Sequence, residues 1–555
     1  MSGSSSRYQI WNIGLLLILA APCYGQNIKI EDVITGRFSA IQDFQVNDEG
    51  ERFYILTSAR DSFLINDNWV DLRPDEDSYF VGINHDGNLN FLIDGWGSNL
   101  LALDSSVFFI RILAQDTMFV ADTFFVNEGA ANSYNMVALE YDFQGNYIRG
   151  KHWPSQFDCR SRVVDICAMD DRFYLTGTYR RDTLQLDSYK IGLFDQEDIF
   201  VAELDESLEC QWLTRMGSYD IASPHSIDAN SAREVLTAGF FYYGYFLFCE
   251  DTIIDPYGGE NVYVSVHDSA GNCEGMEIIR GKGHQVVWSA KYLSDASIVV
   301  AGYHSDTTEI GDTVLVGPHL LIKGFVAKYN QMGDLAFAFQ FDGDETHFAV
   351  DMVVTDDDHI WVGGGFFSDT FRIGDIELYS RSSGKSDVFV AKIDQYGNVL
   401  FAESFGGTDF DRFIKLETGP DNSVYAMMDT RSDTVFIGDE QLVLNQEYYN
   451  NNIVIISIDG TTTSLITPDP ITPSILIYPN PVSAGDQIVI DFDKSQVPNI
   501  QNITLHNLNG QVVTTYIVNG DLPQTLQVPN VNSGIYILNF DFGSYQISEK
   551  IVIVR

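Results

Sequence analysis

DVFVAKIDQYGNVLFAESFGG, Asp387 to Gly407, has a near-copy upstream: GFVAKYNQMGDLAFAFQFDG, starting at Gly324, 64 residues earlier when the two are aligned. Within VFVAKI, Phe389, Ala391 and Ile393 alternate with Val388 and Val390. Side chains alternate across a strand, so both faces of this one are apolar and both need cover. DQYGN is a turn, VLFAES the next strand, and no helical period intervenes.

The phrase recurs with its aligned apolar residue at Val81, Val137, Val201, Val264, Val326, Val390 and Ile455, at gaps of 56, 64, 63, 62, 64 and 65 residues. A second phrase, an Asp before a short apolar run, gives Asp61, Asp122, Asp182, Asp306, Asp369 and Asp433, with Gly244 in the remaining place. Two independent signals agree on seven units, the signature of a repeat architecture. DRFIKLET (Asp411 to Thr418), the turn GPDN and SVYAMMD supply two strands, a polar Asp-Thr connection follows, and the opening phrase supplies the third and fourth strands. Four antiparallel strands, apolar on both faces and repeated seven times, predict an all-β seven-bladed propeller over residues 26–460. A solenoid would need distinct polar caps. Here the last copy lacks a strong outer strand, and Ile28 to Ile34 (IKIEDVI) is available to supply it.

Composition fits that expectation. The chain has 555 residues, 45% of them apolar, with 28 Tyr, 37 Phe and 45 Gly, a mixture suited to strands and tight turns. Acidic residues outnumber basic ones 78 to 32, for a net charge of −46. Such a surface repels phosphate backbones and excludes nucleic acid as a partner; it keeps an exported protein soluble or attracts cations. Residues 1–25, with Arg7 ahead of the apolar run Ile13 to Ala21, read as a secretory signal peptide cleaved near Gly25. LAAPC resembles a lipoprotein box, but Pro22 occupies a small-residue position. No later segment is apolar enough to span a membrane as a helix. Five cysteines follow the leader, Cys159, Cys167, Cys210, Cys249 and Cys273, an odd set without metal-ligand spacing that predicts a local disulfide or buried thiols.

The repeat resembles the SBBP-type β-propeller repeat of exported bacterial proteins, best in the copies ending near Gly407 and Thr430 and decaying toward the N-terminus. That resemblance implies a propeller and assigns no activity. Beyond Gly460, TTTSLITPDPITP (to Pro473) reads as a stiff Thr/Pro linker over 461–473. Residues 474–555 then present, in order, Tyr478-Pro479-Asn480-Pro481, a turn at Gly510, Gly534-Ile535-Tyr536 and a terminal strand from Lys550. This order is similar to the type IX secretion C-terminal sorting domain. The resemblance implies export across both membranes, the type IX machinery as a partner, and a secreted or cell-surface destination. On its own residues the tail predicts a small β-sandwich.

Catalytic motifs are scarce. SSGKSD (Ser382 to Asp387) imitates the end of a phosphate loop, but Tyr379 stands where the first Gly belongs. There is no GxSxG elbow and no HExxH. The acidic clusters Asp342 to His347 and Thr355 to His359 lack calcium-loop spacing. Asp312, Asp375 and Asp439 fall once per unit, too far apart to share an ion. No metal and no cofactor is expected. The candidate ligand-binding residues lie in the connections from one unit to the next: Asp158, His225, His284, Asp344, His347, Asp409 and Asp411, with Arg160 and Asp220 beside them. The function expected is a non-enzymatic surface module for glycan, peptide or protein. The alternatives are a polysaccharide hydrolase or lyase and a purely structural surface component.

Overall fold

The computed structural model describes residues 28–554 except 37–39, 58–61, 67, 72–77, 95–97, 114–116, 128–133, 155–157, 195, 219, 243–244, 249–250, 255–258, 382–383, 439, 445–451, 460–475, 479–481, 492–501, 508–511, 517–523 and 542–545. The leader, the linker over 461–473, Asp61, Gly244, Cys249, Pro479, Pro481 and Gly510 therefore lie outside the described residues. Two compact units divide between Ser464 and Leu465. Both are all-β; among the described residues the one helical segment is a 3-10 turn, Pro420–Asn422.

In the first unit the repeated phrase forms the third strand of each of seven four-stranded antiparallel sheets. The first sheet runs Ala40–Val46, Arg52–Thr57, Ser78–Ile83, Leu89–Asp94, and the second Ser98–Ala102, Ser106–Leu113, Asn135–Asp142, Tyr147–Trp153. The third runs Arg160–Met169, Arg172–Arg180, Glu197–Leu204, Cys210–Ser218, and the fourth Ala222–Ala229, Val235–Tyr242, Glu260–His267, Cys273–Gly281. The fifth is Gln285–Tyr292, Ile298–His304, Lys323–Tyr329, Leu335–Gln340, and the sixth His347–Val354, Ile360–Phe366, Asp387–Ile393, Val399–Gly407. The seventh takes Asp411–Thr418, Val424–Thr430 and Asn452–Ile458 from one end of the unit and Ile28–Gly36 from the other. Ile28 faces Ile458 and Ile34 faces Ile453.

Local chemistry explains the strands and their turns. Asp387–Ile393 is buried at every position, including Lys392, whose ammonium lies 5.3 Å over the Trp361 ring. In the turn that follows, Asp394 accepts from the backbone N–H groups of Tyr396 (2.9 Å) and Asn398 (2.8 Å), and Gly397 supplies φ +92°. Asp142 to Asn146 and Asp268 to Asn272 repeat this Asx turn.

Every first strand carries a β-bulge at the same place, on Gln42, Asn99, Val164, His225, Trp288, Val350 and Ile414. The bulge drives a carbonyl toward the second strand. A Cβ on the facing residue would fall 2.0–2.1 Å from that oxygen at Gly177, Gly239, Gly302 and Gly364, so glycine recurs there.

Seven apolar clusters fill the seams between successive sheets. The seventh joins Tyr425, Met427, Ile453 and Ile455 of the seventh sheet to Phe44, Tyr54, Tyr79 and Val81 of the first. Side chains of the first strands also reach from each sheet to the next. Asp43 accepts from Leu100 N (2.5 Å), Asn99 donates to Val164 O, and Asp165 accepts from Ile227 N (2.8 Å). Asp228 accepts from Tyr292 N (2.7 Å), Ser289 donates to Met352 O (3.1 Å) and Asp351 accepts from Leu416 N (2.9 Å). From the seventh sheet, Lys415 Nζ returns to Asp43 Oδ1 (2.5 Å), and Glu417 accepts from Gln45 (2.6 Å).

Two expectations are corrected. The Asp-Thr connection between second and third strands contains a short β-hairpin, such as Thr307–Ile310 with Thr313–Val316, that adds to the fourth strand of the preceding sheet. The hairpins of the first, fourth and seventh units do the same, the first unit's onto Ile28–Gly36. Strands of four residues with mixed polarity carry too little periodicity to be read in sequence. Asp122 is also out of register with its supposed counterparts. It occupies the hairpin's own turn, after Ala121 at φ +48°, where the fifth unit has Asp312 after Gly311 at φ +52°. Asp182 and Asp306 do cap their turns, accepting from Thr183 N (2.6 Å) and Thr307 N (2.8 Å).

The second unit has two sheets over one apolar core that includes Ile488, Ile490, Leu526, Leu538, Phe540 and Ile551. One contains Leu476–Tyr478, Gln487–Asp491 and Gln524–Gln527; the other contains Val482–Ser483, Gln546–Val554, Gly534–Asp541, Asn502–Asn507 and Val512–Tyr516. Tyr478 ends the first strand, Gly534 opens the strand on which Tyr536 lies, and Lys550 pairs with Ile537. The Tyr536 hydroxyl donates to Asn532 O (2.9 Å). Cys159, Cys167 and Cys210 are buried free thiols, and Cys273 is disulfide-bonded.

Candidate functional site

The expected site residues divide into three groups. Asp158, His284, Asp344 and Asp409 do lie in the connections between sheets. Asp158 is 3.5 Å from Arg181, Asp409 is 3.3 Å from Lys385, and Asp344 is exposed. His225, expected in a connection, is instead the bulge residue within Ala222–Ala229. His347 and Asp411 open their strands with 0% and 1% exposure. In sequence, polar residues flanking a strand entry resemble loop surface; here they already belong to the strand and face inward.

His225 anchors an unbroken strip of contacts across the seam between the fourth and fifth sheets. Its ring stacks on Trp288, centroids 4.2 Å apart and planes 4° from parallel. Phe240 lies 5.1 Å from His225 and Tyr242 5.5 Å from Phe240, edge to face. The Tyr242 hydroxyl donates to Glu260 Oε1 (2.8 Å), and His284 Nδ1 is 3.1 Å from Glu260 Oε2. The bulges place His225 and Trp288, because the extra residue in each strand turns one side chain out of the packed seam. Trp288 keeps 39% of its surface exposed and His284 is exposed. Burial holds the His225 imidazolium down to about pKa 4, only partly opposed by the bond from Nδ1 to Val287 O (2.8 Å). The ring is therefore neutral at pH 7, with Nδ1–H donating and Nε2 an acceptor. The strip thus offers stacking surface at one end and a Tyr–Glu–His polar group at the other.

Carboxyls and two lysines occupy the first strands below this strip. Lys291 interacts with Asp165, Asp228 and Asp351, and Lys415 with Asp43, Glu417 and Asp351. Burial pushes Asp165 up to about 6 against the pull of Lys291, and Glu417 to about 7 against Lys415. Two ammonium groups compensate carboxylates whose other lone pairs cap neighbouring backbones, which is the arrangement buried charge requires. Among the described residues no three His, Cys, Asp or Glu side chains are grouped to hold a metal ion.

A second acidic feature joins Asp411 to Asp387, which was not among the expected residues. Both are buried, at 1% and 0% exposure. His347 lies against Phe371 and Phe341 with His304 and Lys323 nearby, and burial lowers its pKa to about 3. Trp288, Phe240, Tyr242 and Glu260 were also missed. The one sequence signal for Trp288 is its place in the series Val164, His225, Trp288, Val350, Ile414, which keeps the repeat's spacing.

Residues 476–554 match the secretion system C-terminal sorting domain. The protein is accordingly exported by the type IX system to the cell surface, and its tail is the part that engages that machinery. Among the described residues no helix is long and apolar enough to cross a membrane. No curated protein matches the chain. Similar solved structures include a protein of unknown function from Bacteroides caccae, 13% identical, covering 59% of this chain and 89% of its own with a TM-score of 0.30. A puromycin hydrolase mutant is 10% identical over 83% of this chain and 61% of its own, TM-score 0.37. A subtype N10 neuraminidase-like protein of A/little yellow-shouldered bat/Guatemala/060/2010 is 9% identical over 78% of this chain and 99% of its own, TM-score 0.30. Likeness at this level carries no conclusion about activity.

Proposed function

We propose that the seven sheets are the blades of a closed SBBP-type β-propeller, and that the face bearing the connections between sheets binds carbohydrate at the cell surface. The closure is supported by the seven apolar seams, the side-chain hydrogen bonds that pass from each first strand to the next and return through Lys415, and the pairing of Ile28–Gly36 with Asn452–Ile458. The binding reading rests on one observation, the continuous strip Trp288–His225–Phe240–Tyr242–Glu260–His284. Successive rings give apolar sugar faces a surface to stack on, and Glu260 and His284 supply hydrogen bonds at one end. A net charge of −46 favours a neutral glycan over an acidic one. A hydrolytic role for Asp387 and Asp411 is disfavoured because neither carboxyl has a solvent-facing surface for a glycosidic oxygen to reach.

Titration of the full chain with neutral cello-, xylo- and chito-oligosaccharides, followed by tryptophan fluorescence, tests this. Saturable quenching is expected with at least one series, and Trp288→Ala should weaken it about thirtyfold or more, as truncation of a central aromatic anchor does. Binding unchanged in both Trp288→Ala and Phe240→Ala, or no binding by any series, would overturn the assignment.

A further inference from the structure

At several seams the start of a third strand lies against the start of the next sheet's first strand: Glu260 bridges to His284, His347 N donates to Ile322 O (3.1 Å) and Asp411 N to Ser386 O (2.9 Å), and the residues there differ from seam to seam. Between the fourth and fifth sheets they are Asn261 and Gln285, neutral amides with 0% exposure. Between the fifth and sixth they are Lys323 and His347. Between the sixth and seventh they are Asp387 and Asp411, two acids.

The surroundings of this pair are unequal. Asp411 accepts from Thr430 Oγ1, from Gly407 N (2.7 Å) and from Ser432 Oγ (3.3 Å). Asp387 Oδ2 accepts from Arg381 N (2.5 Å), while its Oδ1 is buried with no hydrogen-bond partner. That oxygen and Asp411 Oδ2 flank one point: a Cβ on Gly406 would be 2.2 Å from Asp387 Oδ1 and 2.9 Å from Asp411 Oδ2, so the two oxygens lie close together across the seam. The two carboxyls are thus placed to share a proton directly or across one water. The nearby cations are otherwise engaged or set back. The Arg381 guanidinium lies 5.2 Å over the Phe436 ring, Lys385 pairs with Asp409 and covers Phe410 (4.1 Å), and Arg431 interacts with Asp409. Ser380, Ser386, Thr430 and Ser432 are the remaining polar neighbours.

We propose that Asp387 and Asp411 share one proton across the seam between the sixth and seventh sheets, making it a latch that is tight in acid and slackens as the pH rises. With one proton the pair presents one donor and one acceptor to the seam, as free of net repulsion as the neutral amides Asn261 and Gln285 between the fourth and fifth sheets. Without it, two carboxylates face each other with no ammonium between them, the arrangement that forces one acid of a close pair to stay protonated. Burial lifts Asp411 to about 7, with the Asp387 charge adding to the rise, and burial lifts Asp387 to about 6. Folded-state values above those of the unfolded chain mean that the native protein holds the extra proton. The contribution is complete below about pH 4 and is lost as the pH rises through about 7.

Urea unfolding of the full chain and of Asp387→Asn from pH 6 to pH 8 is the test; the histidines, which the unfolded chain protonates near pH 6.5, contribute alike to both proteins and cancel in the difference. Relative to Asp387→Asn the wild-type midpoint should fall across this window, and Asp387→Asn should raise the folded-to-unfolded ratio at pH 8 about tenfold. A parallel wild-type and Asp387→Asn slope, or a less stable Asp387→Asn protein at pH 8, would overturn the latch. If Asp387→Asn does not fold, difference infrared spectroscopy of the wild type and Asp411→Asn decides. A protonated-carboxyl carbonyl band present at pH 6, lost by pH 8 and missing from Asp411→Asn supports the shared proton, and its absence from the wild type refutes it.

Discussion

Asp32 sits on the strand that the N-terminus contributes to the seventh sheet, yet it is clasped by side chains of the first sheet and by Asn66 of the hairpin that follows that sheet's second strand. Arg52 grips it with Nε (2.5 Å) and Nη2 (3.1 Å), the Tyr54 hydroxyl donates at 2.6 Å and Asn66 Nδ2 at 2.7 Å. Asp32 and Arg52 have 0% and 1% side-chain exposure. Asp32→Ala would leave a buried guanidinium with only Glu31, 4.0 Å from Nη1, as a distant counter-charge. Breaking one side of such a pair costs about 3–5 kcal/mol. With an m-value of about 3 kcal/mol/M or more for a unit this large, the urea midpoint should fall by roughly 1 M. Combining Asp32→Ala with Arg52→Met removes the stranded charge, and the double variant should recover much of the loss, giving a coupling energy of about 2 kcal/mol or more. A midpoint for Asp32→Ala within about 0.3 M of wild type, with m unchanged, would refute the idea that this cluster fastens the N-terminal strand to the first sheet.

Other outcomes follow from the same geometry. Gly302→Ala puts a methyl 2.0 Å from the Val286 carbonyl oxygen, backbone that no rotamer relieves, and should cost about 2 kcal/mol or more in a urea titration. The partly buried His225 and the buried His267, His304 and His347 all have lowered pKa values, about 4, 4, 4 and 3. The unfolded chain therefore binds protons that the native state refuses, so the contribution of these histidines to stability is present above about pH 6.5 and is lost as the pH falls toward 4. Thermal unfolding of the wild type and His347→Phe should show a shallower acid decline in the variant. Truncation after Pro473 removes the sorting domain and should leave the rest of the chain in the periplasm, as cell fractionation would report; normal surface delivery would contradict the tail's role.

Much of the architecture was legible because the repeat is carried by burial. A strand such as Asp387–Ile393 needs cover on both faces, and that need writes the same apolar phrase seven times. The Asx turns were equally readable, since Asp394 and Gly397 are required by backbone geometry. The hairpins were not legible, because strands of four residues need few apolar positions and their partner is the fourth strand of the preceding sheet. The recurring bulge left a trace that was overlooked, the glycines at 177, 239, 302 and 364. The candidate site was the least readable part. Asp158, His284, Asp344 and Asp409 were placed correctly by topology alone, while His347 and Asp411 are seam residues whose polarity resembled that of a loop. The strip through Trp288 joins residues from four separate stretches of chain, and no local pattern announces it.

Closure of the first unit by its N-terminal strand is tested most directly by a cross-strand disulfide. Lys29 faces Ser457 across the pairing of Ile28–Gly36 with Asn452–Ile458. In the full chain carrying Lys29→Cys and Ser457→Cys, mild oxidation should yield one linked peptide pair by mass spectrometry, joining segments 428 residues apart in sequence, and the bond should raise the unfolding midpoint. Two thiols that react freely with a small alkylating agent yet never join would contradict it.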